Sequence, residues 1–101
     1  MAIINIGLAI ATTGKQNTER EVLLVLKALH VTVLKHRIAQ SSTEPTLVAD
    51  IFAPLSPNKA WEIAAVLDQD CIAQDDNGRL ELFGPKADDW KPANRDYFLT
   101  I

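Results

Sequence analysis

Hydrophobic and polar positions predict the order strand, helix, strand twice along this chain. From Ile3 to Ile10, aliphatic residues alternate with mixed ones, which is typical of a strand with one wholly apolar face. The runs Val31 to Ile38 and Leu47 to Ala53 predict two further strands. The polar turn between them is too short for a crossover helix, so these two strands should pair antiparallel. The alternation slips within the first of them, which predicts a bulge or a change of face.

Two helices follow from their start signals. Thr18 and Glu21 have the spacing of a capping box, and the helix that they open runs to Leu29. Ser56 followed by Pro57 is the second start, because proline at the first helical position lacks only an N–H that the helix does not use. This second helix is predicted to run from Pro57 to Leu67.

A hairpin is predicted after the second helix. A strand from Cys71 to Gln74 precedes Asn77-Gly78, two residues that tolerate the positive φ angles of a type I′ turn. The turn sets a register that places three pairs of residues opposite one another: Asp76 with Arg79, Gln74 with Glu81, and Ala73 with Leu82.

These elements predict an α+β fold. The order βαββαβ indicates a ferredoxin-like open sheet with both helices on one face, and the hairpin adds a strand at an edge. At 101 residues the chain is long enough for one core. We expect residues 1–83 to form a single domain and residues 84–101 to form a tail that packs on the domain or on a partner.

Charge and composition narrow the partners. The net charge of −3 disfavours nucleic acid and anionic membranes as partners. The apolar N-terminal segment is far shorter than the ~20 residues of a membrane span. Cys71 is the sole cysteine, which excludes an internal disulfide and fits a reducing, cytoplasmic setting.

No motif for catalysis, a cofactor or a metal is complete. Gly7 to Lys15 resembles a phosphate loop in outline, but the required glycine is Ala9 and the required Ser or Thr is Gln16. His30 and His36 are the only imidazoles and lack neighbouring ligands in sequence. Cys71 has no histidine beside it, and no Gly-x-Ser-x-Gly sequence occurs. We expect a protein that is not an enzyme and that holds no cofactor or metal.

The sheet face away from the helices is the candidate interaction surface. Apolar residues ringed by polar ones are typical of a protein interface. The strand pattern places five apolar side chains there, and three aromatic residues of the tail could join or cover them. The candidate residues are Ile3, Val48, Phe52, Ile72, Phe83, Trp90, Tyr97 and Phe98. Coverage by the tail and coverage by a partner both remain open.

The C-terminal third carries one resemblance. Gly84-Pro85, Trp90, Asn94 and Tyr97-Phe98 resemble the ending of short uncharacterised bacterial proteins found near prophages and other mobile elements. The resemblance implies a genomic setting and no activity or catalytic residue.

The function expected from these observations is protein binding. A small non-enzymatic module, a phage or mobile-element factor that modulates a host protein, would combine an apolar sheet face with acidic charge. We also expect a homodimer that pairs two such faces through Ile3, Val48, Phe52 and Ile72. The alternative is a small-ligand-binding or regulatory domain with a cleft near Trp90 and Tyr97.

Overall fold

A computed structural model describes residues 2–10, 12–40 and 45–88. The elements occur in the predicted order, and most boundaries lie within two residues of those expected. They are β1 (Ala2–Gly7), α1 (Glu19–Ala28), β2 (Val33–Gln40), β3 (Pro45–Ile51), α2 (Pro57–Val66), β4 (Ile72–Asp76) and β5 (Arg79–Phe83). The α+β prediction is confirmed.

The five strands form one antiparallel sheet in the order β2-β3-β1-β4-β5. β1 is central and pairs antiparallel with β3 on one side and β4 on the other. β2 pairs antiparallel with β3, as the short turn predicted. The order therefore leaves β2 and β5 as the two edge strands.

One face of the sheet carries the helices and most of the core. Ile4 and Ile6 of β1 are fully buried and share a hydrophobic cluster with residues of both helices, including Val22 and Ile63. The register places Ala49 and Leu47 of β3 beside them, so the same face continues across the sheet. Because successive strand residues point to opposite faces, Ile3 and Asn5 lie on the other side, the outer face.

Local signals determine the ends of the helices. The Thr18 hydroxyl accepts a hydrogen bond from the Glu21 N–H at 3.1 Å, and Ser56 accepts one from the Lys59 N–H at 3.2 Å. Both caps satisfy backbone donors that have no partner within the helix. Pro57 occupies the first turn of α2, as predicted.

The hairpin register and the bulge are both confirmed. Asn77 and Gly78 have φ angles of 55° and 87°, and β4 pairs with β5 in the three predicted pairs. The pairing of β2 with β3 shifts between Val33 and Lys35, so Leu34 is the extra residue of a bulge.

The predicted outward orientation of Ile72 and Phe83 is wrong. Both side chains belong to the core cluster on the helix side of the sheet. Ala73 and Leu82 instead form a second, smaller cluster with Ala87. Since neighbouring residues of a strand point to opposite faces, the placement of Ala73 on the outer face turns Ile72 towards the helices.

Gln74 is a buried polar residue on the helix side. Its amide oxygen accepts a hydrogen bond from the Leu55 N–H at 2.7 Å, and its amide nitrogen donates to the Leu55 carbonyl at 3.3 Å. A single side chain thus satisfies both backbone groups of a residue in the loop between β3 and α2. Burial of the amide is tolerated because it is hydrogen-bonded at both ends.

Gly84 ends β5 at a close approach between two backbone segments. Its φ is 144°, and a Cβ there would lie 2.6 Å from the Asp70 carbonyl oxygen and 2.7 Å from the Cys71 Cα. Gly14 also has a positive φ, 70°, but a Cβ there would have open space around it. A comparison of the two glycines therefore separates the effect of a steric contact from the effect of a positive φ angle alone.

We predict that Gly84→Ala lowers the free energy of unfolding by about 2 to 4 kcal/mol, because it adds overpacking to a disfavoured φ. The matched variant Gly14→Ala should cost about 1 to 2 kcal/mol, since only the left-handed conformation is penalised. Urea denaturation followed by circular dichroism measures both. Equal losses of stability in the two variants would show that the approach of Gly84 to the backbone of Asp70 and Cys71 is not tight.

Candidate functional site

A groove runs between α1 and the edge strand β2. Its volume is about 660 Å³. Three aliphatic residues, one threonine, one lysine and two histidines line it: Leu23, Lys27, His30, Val31, Thr32, Val33 and His36. We refer to these seven residues as the α1–β2 groove.

The chain enters the groove through a tight helix end. The His30 N–H donates to the Lys27 carbonyl and the Val31 N–H donates to the Leu26 carbonyl, at 3.1 and 2.9 Å. These two bonds form a Schellman motif, which requires a left-handed residue after the helix cap. His30 has that conformation, with a φ of 64°, at a position where glycine is the usual residue. The imidazole is thereby placed in the wall of the groove.

A second cavity continues from the first. It has a volume of about 360 Å³ and shares His30, Val31 and Thr32 with the α1–β2 groove. Residues at the start of α2 line its other side, and among them Lys59 donates from Nζ to the Leu29 carbonyl at 3.0 Å. A lysine on a terminal carbonyl of α1 stabilises the negative end of that helix and ties the two helices together.

Basic residues dominate the charge around β2. This strand contains Lys35, His36 and Arg37 and no acidic residue. His36 Nδ1 lies 2.8 Å from Glu19 Oε1 on α1, and Lys35 Nζ lies 3.6 Å from Asp50 Oδ2 on β3. The opposite hairpin carries the reverse balance, with Asp75, Asp76 and Glu81 against Arg79. The two ends of the sheet therefore differ in sign.

The structure separates the predicted interaction residues into three groups. Ile3 and Phe52 are exposed, at 39% and 70% of their surface, and Phe52 lies just beyond β3. Val48 faces away from the helices but is only 7% exposed, and Ile72 and Phe83 lie in the helix-side core. Trp90, Tyr97 and Phe98 lie outside the described residues, as does the cleft predicted near them. The expected open surface is thus reduced to its Ile3 and Phe52 end.

The loop after β1 has a structural role. Asn17 and Gln69 donate side-chain hydrogen bonds to the Leu67 and Ala9 carbonyls, at 3.2 and 2.6 Å, which ties this loop to the end of α2. Asp68 accepts a further bond from the Thr12 hydroxyl. Glu19 and Glu21 lie in the first turn of α1, so this helix start repels anions. Among residues 2–10, 12–40 and 45–88, no three His, Cys, Asp or Glu side chains cluster to hold a metal ion.

Comparisons with protein-family models, with curated proteins and with solved structures found no match. The resemblance of the C-terminal third to prophage-type proteins therefore stays a prediction. Within the described part of the chain, no helix is long and apolar enough to cross a membrane.

The sequence pattern does not reveal the α1–β2 groove. Leu23 and Val33 are ten positions apart and belong to different elements, so neither the helical nor the strand repeat of apolar residues indicates that they are neighbours. In the sequence, His30 and His36 are interpreted as surface or edge histidines, and nothing marks them as the rim of a groove. One signal is present, since Lys35, His36 and Arg37 form a run of basic residues within a β-branched segment of an acidic chain.

We predict that His30→Gly raises the free energy of unfolding by about 0.5 to 1 kcal/mol, because glycine removes the left-handed penalty at the end of α1. Asp68 occupies the equivalent position after α2, with a φ of 52°. Asp68→Gly should gain less or lose stability, since it also removes the bond from Thr12. Urea denaturation compares the pair. A larger gain for Asp68→Gly would show that its side-chain contacts contribute nothing.

Proposed function

We propose that this chain is a small protein-binding domain that captures an extended segment of a partner along the open edge of β2. The observation that carries the proposal is the α1–β2 groove beside that edge. Among the described strands, only β3 pairs with β2. Along its other edge, half of the backbone N–H and C=O groups of β2 therefore face away from the sheet. An added strand could use these groups for affinity and the groove for specificity.

Two exposed apolar side chains lie close to this edge. Leu34 is the bulged residue of β2 and is 51% exposed, and Phe52 donates its N–H to the Thr32 carbonyl at 3.0 Å. Apolar residues at a strand edge with a charged rim are typical of a recognition surface. By contrast, burial of Val48 and the inward orientation of Ile72 and Phe83 argue against docking over the centre of the sheet.

Self-association through β2 is disfavoured by charge. Two copies paired antiparallel along β2 would bring the Lys35–Arg37 segments together, and like charges on facing strands are destabilising. The homodimer expected from the sequence would instead use the Ile3 and Phe52 end of the sheet. This dimer remains a proposal of its own, which light scattering at high protein concentration tests.

Two further proposals go beyond the α+β description: a ferredoxin-like fold class and a cytoplasmic location. We propose a ferredoxin-like βαββαβ sheet in which β5 is an added strand beside β4, and the strand order β2-β3-β1-β4-β5 supports this proposal. Cys71 is the sole cysteine and forms no internal disulfide, which is compatible with the proposed cytoplasmic location. The C-terminal resemblance implies a mobile-element setting, and in that setting modulation of a host protein would use the same edge.

Selection from a random dodecapeptide library, followed by titration of selected peptides into the ¹⁵N-labelled protein, tests the proposal. We expect the largest amide shift changes in β2 and in the groove-facing side of α1. Changes centred on Ile3 and Val48 would instead identify the outer face as the binding surface and would contradict the proposal.

Two neighbouring leucines provide a matched pair. Leu23 lines the α1–β2 groove, whereas Leu24 is 56% exposed and lies outside it. We predict that Leu23→Ala weakens the selected peptide about tenfold, because it removes apolar contact area from the groove. Leu24→Ala makes the same change in helix propensity and should alter affinity less than about twofold. Equal effects would show that the groove does not receive the peptide.

A further inference from the structure

We infer that the segment captured by β2 is acidic and alternating, with carboxylate side chains on one side and apolar side chains on the other. This inference rests on the proposed function and names the chemistry of its partner. It follows from the charges and orientations of the side chains along β2, which differ between the two faces of the sheet.

The charges around the edge favour a negatively charged partner. Lys27, His30 and His36 line the groove, and Lys35 and Arg37 lie on the strand itself. Glu19 bonds to His36, and Asp50 pairs with Lys35. The lysine and arginine side chains of this edge, Lys27, Lys35 and Arg37, outnumber these two carboxylates. Opposite potentials on two partners increase both specificity and association rate.

The orientation of β2 divides its side chains between two environments. His36 and Ile38 are paired with Ala49 and Leu47, both of the helix-side core, so they point to the groove side. Lys35 and Arg37 are paired with Asp50 and Val48 and point to the outer face. Lys35 is 80% exposed in spite of its pairing with Asp50. One face of the edge is therefore partly apolar, and the other is basic.

An added strand would meet both environments in turn. Its side chains alternate between the faces of the sheet, so those on the groove side approach Leu23, Val31 and Val33. Side chains of the added strand on the outer face approach Lys35 and Arg37, and Asp or Glu is the best match at these positions. The preferred segment thus alternates acidic and apolar residues over the length of β2, which is eight residues.

Three labelled octapeptides test the inference on the unmodified protein: alternating Glu and Val, alternating Lys and Val, and four Glu followed by four Val. Fluorescence anisotropy measures binding at low and at high salt. We expect the Glu–Val alternation to bind at least about tenfold more tightly than either comparison peptide, and to weaken as salt rises. Equal binding of the Lys–Val peptide would overturn the charge assignment, and equal binding of the block peptide would overturn the alternation.

Two charge reversals provide the control within the protein. Lys35→Glu should weaken the Glu–Val peptide about tenfold, because repulsion replaces attraction beside the added strand. Lys86→Glu changes the net charge by the same amount near Asp70, beyond the opposite edge, and should change affinity less than about twofold. Melting temperatures of both variants confirm that each is folded. Equal losses would show that only net charge matters and would contradict the inference.

The outcomes separate the inference from the proposed function. If library-selected peptides perturb β2 but are neutral or basic, the function stands and the inference is wrong. If selected peptides perturb another surface, the function itself fails. A single-stranded oligonucleotide that displaces the Glu–Val peptide with higher affinity would also overturn the inference, since the basic edge would then belong to nucleic acid.

Discussion

Burial of the helix side of β1 is the constraint on which the rest of the fold depends. Ile4 and Ile6 have no exposed surface, which requires a strand on each side of β1 and a helix layer above it. Full burial of side chains of this size contributes about 1.5 to 3 kcal/mol each. β3 and β4 occupy the two sides of β1, so β2 can pair only with the far side of β3, and β5 only with the far side of β4. A central β1 thus leaves β2 at the edge of the sheet.

The edge position of β2 produces the candidate site in turn. α1 buries Val22 and Leu26 in the core, and its Leu23 side faces the edge strand β2. The Schellman turn at His30 brings the chain back beneath the helix, so the groove is formed by one continuous stretch from α1 to β2. Basic residues on β2 also disfavour uncontrolled pairing of identical edges, which is a common protection of exposed strands. In the proposed function, the same charges that disfavour self-pairing would select an acidic partner.

Local chemistry made much of the fold predictable. The caps at Thr18 and Ser56, the Asn77-Gly78 turn and the slip in alternation near Leu34 each depend on residues close in sequence, and all four agree with the structure. The faces of Ile72 and Phe83 depend on how the last hairpin meets β1, which a pattern of alternation leaves undetermined. The groove was not predictable either, because its walls become neighbours only after α1 packs on the sheet. Gln74 illustrates the same limit, since nothing in the sequence indicates the bonds to Leu55 that allow its burial.

Amide hydrogen exchange of the free ¹⁵N-labelled protein tests most directly whether β2 is an open edge. In an antiparallel edge strand, alternate amides bond to the neighbouring strand and the others face outward. We therefore expect every second amide of β2 to exchange rapidly while the amides of β1 that bond to β3 and β4 remain protected. Uniform protection along β2 would show that another segment or a second copy already occupies this edge, and would contradict an open binding site there.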